Sequence, residues 1–147
     1  MDAAPISVLL IDDNAELLEL LSRALTHLGK FTVLRAANGE SGLEQATLAH
    51  PDCIVVDIMM PGLDGYWLVR ALRGDPQTSE TPIIMLTALA QDRNRLAGLL
   101  SGADHYVVKP VKPQDLVATI QQSIKYSRED RTNRLRELVE GDEAGAS

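Results

Sequence analysis

Short apolar, β-branched runs alternate with helix-patterned stretches along most of this 147-residue chain, and that alternation leaves few folds open. The runs are residues 6–11 (ISVLLI), 31–36 (FTVLRA), 53–56 (CIVV), 83–86 (IIML) and 106–108 (YVV). Their length and β-branched content mark strands, four of them apolar but for Ser7 and read as buried. The second, FTVLRA, is less apolar and belongs nearer an edge. Strand and helix in strict alternation predict an α/β fold around a parallel sheet. Five such units account for residues 6 to about 126.

The helical stretches carry their own punctuation. Asn14 caps a helix whose apolar stripe is Leu17, Leu18, Leu21, Ala24, Leu25 and Leu28, with Gly29 as its stop. A second helix covers 39–48 and closes before His50-Pro51. Pro61-Gly62 and Asp64-Gly65 mark a loop before a third, through Leu68, Val69, Ala71 and Leu72, which Gly74-Asp75-Pro76 ends. Pro82 opens a strand, Asp92 caps a helix running towards Leu100, and Pro113 sits at the first turn of the last helix. That helix buries Leu116, Val117, Ile120 and Ile124. Residues 1–126 thus form one domain. Residues 127–147 form a charged extension, helical in part and disordered from 141 onward, with Leu135, Leu138 and Val139 as its large apolar residues. A sharper alternative continues the helix to meet a partner or a second copy, although Ile124, Arg131 and Leu138 give only a weak heptad signal.

Bulk properties exclude some functions. A net charge of −7 argues against nucleic-acid affinity for this chain by itself. The single cysteine, Cys53, falls inside a predicted core strand and reads as a structural thiol. No apolar stretch is long enough for a membrane span, and the first residues lack a basic signal-peptide region, so a cytoplasmic location is expected. His27, His50 and His105 stand in unrelated elements and read as surface residues.

The chemistry lies at the strand ends. Asp12 and Asp13, Asp57, Thr87 and Lys109 each stand at or just beyond the C-terminal end of a run, where an open parallel sheet binds ligands. Three converging carboxylates need protons or a cation, and Mg²⁺ suits few carboxylates and several waters. A carboxylate held ionised there can act as nucleophile towards a phosphoryl group, with Lys109 and Thr87 supplying charge and hydrogen bonding.

VLLIDDN, VVDIMMPGLDGYWLVRALR, IIMLTA and GADHYVVKP, in that order and spacing, resemble the receiver domain of bacterial two-component response regulators. The resemblance covers residues 6 to about 126. It implies a flavodoxin-like doubly wound (βα)5 sheet in the order 2-1-3-4-5. It assigns Asp57 as acceptor of a phosphoryl group from a histidine kinase or histidine phosphotransfer protein. Asp12, Asp13, Asp57 and the backbone carbonyl of Met59 then hold Mg²⁺, and Lys109 pairs with the phosphoryl group. The resemblance also implies a cis bond between Lys109 and Pro110, and switch residues Thr87 and Tyr106. The small Ala88 leaves room over the phosphoryl group.

The expected function is a phosphorylation-dependent switch, not an enzyme beyond phosphoryl acceptance and slow self-dephosphorylation. Its output is binding to a downstream protein, with a second copy of the chain as a further candidate partner. His105 in GADHY and Thr119 in LVATI replace two charged residues common in transcription-factor receivers that dimerise through the fourth helix, fifth strand and fifth helix. Two alternatives remain: a Mg²⁺-dependent phosphohydrolase, or the receiver half of a longer transcriptional regulator. The first usually needs an acid two positions after the nucleophile, where this chain has Met59.

Overall fold

The computed structural model describes residues 5–57, 65–87 and 102–145. Five strands form one parallel sheet: β1 (Ser7–Ile11), β2 (Thr32–Ala36), β3 (Cys53–Asp57), β4 (Ile83–Thr87) and β5 (His105–Val108), in the order β2-β1-β3-β4-β5. The helices are α1 (Ala15–Gly29), α2 (Gly39–Ala49), α3 (Gly65–Gly74) and α4 (Pro113–Gly145). The helix expected from Asp92 to Leu100 lies outside the described residues.

Side chains alternate across the strands and divide the core in two. Val8, Leu10, Cys53, Val55, Ile84 and Leu86 face Leu18, Leu21 and Leu25 of α1 and Leu116, Ile120 and Ile124 of α4. Leu9, Ile11, Ile54, Val56, Ile83 and Met85 face Ala46 of α2 and Leu68, Val69 and Leu72 of α3. The three inner strands are therefore apolar at nearly every position, because no face of theirs meets water. The two edge strands are less covered: β2 exposes Thr32 and Arg35, and β5 is half-buried along its length. Cys53 is fully buried, which pushes its thiol up out of the reactive range.

Asn14 caps α1 as expected, its side chain accepting from the amides of Glu16 and Leu17. The helix ends at Gly29 as expected, but the left-handed cap falls one residue later, on Lys30 with φ of 58°. Gly29 is needed for room instead: a Cβ there would stand 2.4 Å from the Phe31 ring. The ring of Phe31 closes the lower end of the core under α1.

The second departure concerns the chain's end. Residues 141–145, expected to be disordered, continue α4, which runs unbroken from Pro113 to Gly145. His27 and His50 are exposed as expected, whereas His105 is half-buried on β5. No helix among the described residues is long and apolar enough to cross a membrane.

The cap of α1 gives a two-sided prediction. Lys30→Gly should raise unfolding free energy by roughly 0.5–1 kcal/mol, because glycine adopts the left-handed region without penalty. Gly29→Ala should lower it by roughly 1–3 kcal/mol, through the clash with Phe31. Urea titration of both variants checks the assignment, and the opposite order of stabilities would reverse it.

Candidate functional site

The register of β1 and β3 sets up the site. Val8 pairs with Cys53 and Leu10 with Val55, so the next step on the same face places Asp12 beside Asp57. Both carboxylates are almost wholly buried, at 0% and 3% exposure. Asp13 follows in the exposed turn, and ligand atoms of Asp12, Asp13 and Asp57 all lie within 4.8 Å of one another. The Asp12 amide donates to the Ala36 carbonyl at 3.1 Å, fixing the strand end against the edge strand.

Lys109 enters from the far side. It stands one residue beyond β5, and its Nζ donates to Asp57 Oδ2 at 2.7 Å. Its backbone amide donates to the Thr87 carbonyl, also at 2.7 Å. The peptide bond from Lys109 to Pro110 is cis. Thr87 ends β4 with its side chain buried, and Tyr106 lies half-buried on β5 in register with Met85. The structure thus gathers Asp12, Asp13, Asp57 and Lys109 around one point, with Thr87 tied to the same strand ends. Met59, Ala88 and Leu89 lie outside the described residues.

The electrostatics are unbalanced in one direction. Three carboxylates face one ammonium, which leaves two negative charges in excess. Burial, reinforced by the neighbouring Asp57 carboxylate, raises the Asp12 pKa from 3.8 to about 6; the Asn14 amide and Lys109 oppose that shift. Asp12 Oδ1 accepts from the Asn14 amide at 2.9 Å, while the buried Oδ2 has no hydrogen-bond partner among the described residues. A buried carboxylate oxygen without a donor is unusual, because desolvation goes uncompensated. A divalent cation with oxygen ligands answers both the orphan oxygen and the charge excess.

A second polar network, missed by the sequence reading, lies at the opposite ends of the strands. Arg73 donates to the carbonyls of Gly102, Ser79 and Thr81 and to Asp104 Oδ2 at 2.6–2.9 Å. Asp104 also accepts from the Ile83 amide at 2.8 Å. Sequence offers one signal for it, an arginine at the end of an amphipathic helix, and that pattern is too common to single out. A cleft of about 650 Å³ opens beside this network, lined by Arg73, Asp104, His105, Ser123 and Tyr126 among others. It is remote from the strand-end carboxylates, and its arginine is already committed to the three carbonyls and Asp104.

Comparison with known proteins follows the same outline. Residues 8–121 match the family model described as the response regulator receiver domain. The chain is 42% identical over 118 residues to the probable transcriptional regulator ycf27 of Porphyridium aerugineum, covering 80% of this chain and 48% of that protein. It is 41% identical over 127 residues to the transcriptional regulatory protein AfsQ1 of Streptomyces coelicolor, covering 86% and 55%. The chain therefore spans about half the length of the curated relatives it matches. Among solved structures, the chemotaxis protein CheY4 of Vibrio cholerae superposes with a TM-score of 0.75 at 34% identity, covering 82% of this chain and 99% of that one. The receiver domain of sensor histidine kinase PA1611 from Pseudomonas aeruginosa gives 0.73 at 30% identity, covering 83% and 99%. That structure has a magnesium ion coordinated in its active-site cleft.

The raised Asp12 pKa has a sign that can be tested. The folded state holds this proton more tightly than the unfolded chain. Its contribution to stability is full below about pH 3.8 and is lost as pH rises through about 6. In chelator, thermal midpoints of the wild type should therefore decline between pH 4 and 7 more steeply than those of Asp12→Asn. Parallel profiles would remove the assignment.

Proposed function

Because the chain belongs to the response regulator receiver domain family, we propose that Asp57 accepts a phosphoryl group from a phosphohistidine and that the modified domain acts as a signalling switch. The observation that carries the reading is the buried Asp57 carboxylate held by Lys109 at 2.7 Å, beside the Asp12–Asp13 pair. The domain is a receiver and not a dedicated enzyme.

The chemistry follows from the charges. An Asp57 oxygen attacks the phosphorus, the P–N bond to the donor imidazole breaks, and the imidazole leaves as it takes up a proton. Asp12, Asp13 and Asp57, with the Met59 carbonyl, would hold Mg²⁺, which would supply neutralisation of the excess carboxylate charge and of the charge on the transferring oxygens. Lys109 shifts from pairing with the free carboxylate to pairing with a phosphoryl oxygen, so no buried ammonium is left alone.

The switch runs through Thr87 and Tyr106. Phosphorylation adds roughly 1.5–2 negative charges at the strand ends and new acceptor oxygens. The Thr87 hydroxyl turns towards them, and the half-buried Tyr106 on the neighbouring strand fills the space it leaves. Partners are a histidine kinase or phosphotransfer protein upstream, and a protein target downstream. A second reading concerns size: ycf27 and AfsQ1 are about twice the matched length, which favours this chain as the receiver half of a longer transcriptional regulator.

Incubation with acetyl phosphate should add the mass of one phosphoryl group only when Mg²⁺ is present, and not in Asp57→Ala. Labelling of Asp57→Ala at wild-type level would defeat the proposal. Self-dephosphorylation should be slow, because Met59 and Leu89 offer no side chain that orients water by a strong hydrogen bond. Met59→Asn or Leu89→Glu should speed phosphoryl loss about 10-fold, below the roughly 10²–10⁴-fold of a full general base because the added group only orients water; unchanged decay rates would remove the idea.

A further inference from the structure

The helix that completes the domain does not end with it. Val117, Ile120 and Ile124 of α4 are buried against the sheet. Leu135 and Leu138 stand eighteen residues after Val117 and Ile120, which is five helical turns, so they continue the same stripe. Arg128 lies 4.0 Å from Asp52, where α4 passes the start of β3. From Arg128 to Glu140 every described side chain is exposed, with Leu135 at 64%, Leu138 at 66% and Val139 at 58%. The core-facing stripe thus projects past the domain with the domain no longer under it. An isolated helical segment of this length and polarity is marginal in water unless something packs on it.

Charge along the projecting segment selects the occupant. Residues 125–136 contain five basic and two acidic residues, and residues 137–143 contain four acidic residues and no basic one. Leu135, Leu138 and Val139 sit at the boundary between these halves. A parallel, in-register pair of such helices would set basic against basic and acidic against acidic. An antiparallel pair sets each basic half beside the partner's acidic half, and the dyad falls between Leu135 and Leu138. Leu135 of one copy then meets Leu138 of the other in the alternating three-and-four spacing that helix pairs use.

We propose that residues 128–145 form an antiparallel helix pair with the same segment of a second copy of this chain. The projection from 128 to 145 is about 26 Å long at 1.5 Å per residue, so the partner's helix fits beside it without reaching the sheet. The receiver bodies lie at opposite ends of the pair. The seam is short, so the dimer is reversible and its strength falls with salt, as expected for a small, partly electrostatic interface. The pairing differs from one through the β5 face, where His105 and Thr119 stand, and it does not depend on phosphoryl transfer.

Sedimentation equilibrium from about 1 µM to about 1 mM should show a monomer–dimer equilibrium. Leu135→Glu with Leu138→Glu should weaken it at least 10-fold, as expected when central anchors are removed, while the thermal midpoint at the lowest concentration, where the chain is monomeric, stays unchanged because both side chains are exposed. A spin label on Tyr126→Cys, with Cys53 protected by burial, reports orientation. Antiparallel pairing places the two labels more than about 30 Å apart along the helix axis. A chain monomeric throughout that range overturns the proposal, as it would if a following domain covered the stripe. Undiminished dimerisation of the double glutamate variant, or a label separation below about 20 Å, overturns it equally.

Discussion

Two carboxylates forced side by side in a buried place govern the site. Their proximity comes from the pairing of β1 with β3, where Val8 opposite Cys53 and Leu10 opposite Val55 bring Asp12 next to Asp57. Neither aspartate can withdraw, because each is the direct continuation of a strand packed on both faces. Like charges in low dielectric repel strongly, so the surroundings must supply protons, an ammonium or a metal ion. Lys109 supplies part of the compensation, while burial, with the Asp57 charge beside it, holds the Asp12 pKa up at about 6. The cost of the arrangement is the source of its chemistry.

The same strands carry the consequences outward. The Lys109 amide donates to the Thr87 carbonyl, so a backbone hydrogen bond joins the counter-charge to the hydroxyl-bearing strand end. At the other end of β4 and β5, Arg73 and Asp104 clamp the strand starts to α3 and to the Ile83 amide. Strand β5 therefore has one anchored end and one end tied to the reactive site. Its half-buried side chains, Tyr106 among them, have room to rearrange that the fully buried β3 lacks. An edge strand of this kind suits a switch, because rearranging it disturbs fewer packed contacts than moving a central one.

The helix α4 links two parts of the molecule with different physics. Its first half is held by the aliphatic core on the α1 face of the sheet. From Arg128 to Glu140 its described side chains are all exposed, and the charges in the sequence are sorted along the axis. A solvated, disordered tail fits the composition of residues 141–147. Composition, however, averages over a segment and does not register that the stripe of Val117 and Ile120 recurs in phase at Leu135 and Leu138.

Much of the fold was legible because each strand of the inner sheet is a short β-branched run and each helix carries a cap or stripe. That Asp12, Asp13, Asp57 and Lys109 gather at one end of the sheet was legible too, since all stand at strand ends in a parallel order. Local signals failed where the deciding contact was distant in sequence. Gly29 reads as a helix stop, but the approach of the Phe31 ring explains it, and Lys30 bears the left-handed turn. Arg73 and Asp104 are thirty-one residues apart and meet only across the assembled sheet. The sequence by itself determined which residues form strands and which functional groups end them, because period and position are local properties. Only the tertiary structure decided that Asp12 lies beside Asp57, that Lys109 reaches Asp57 at 2.7 Å, and that one Asp12 oxygen has no donor among the described residues. Those facts depend on strand register and burial, which belong to the assembled sheet and to no single segment of the chain.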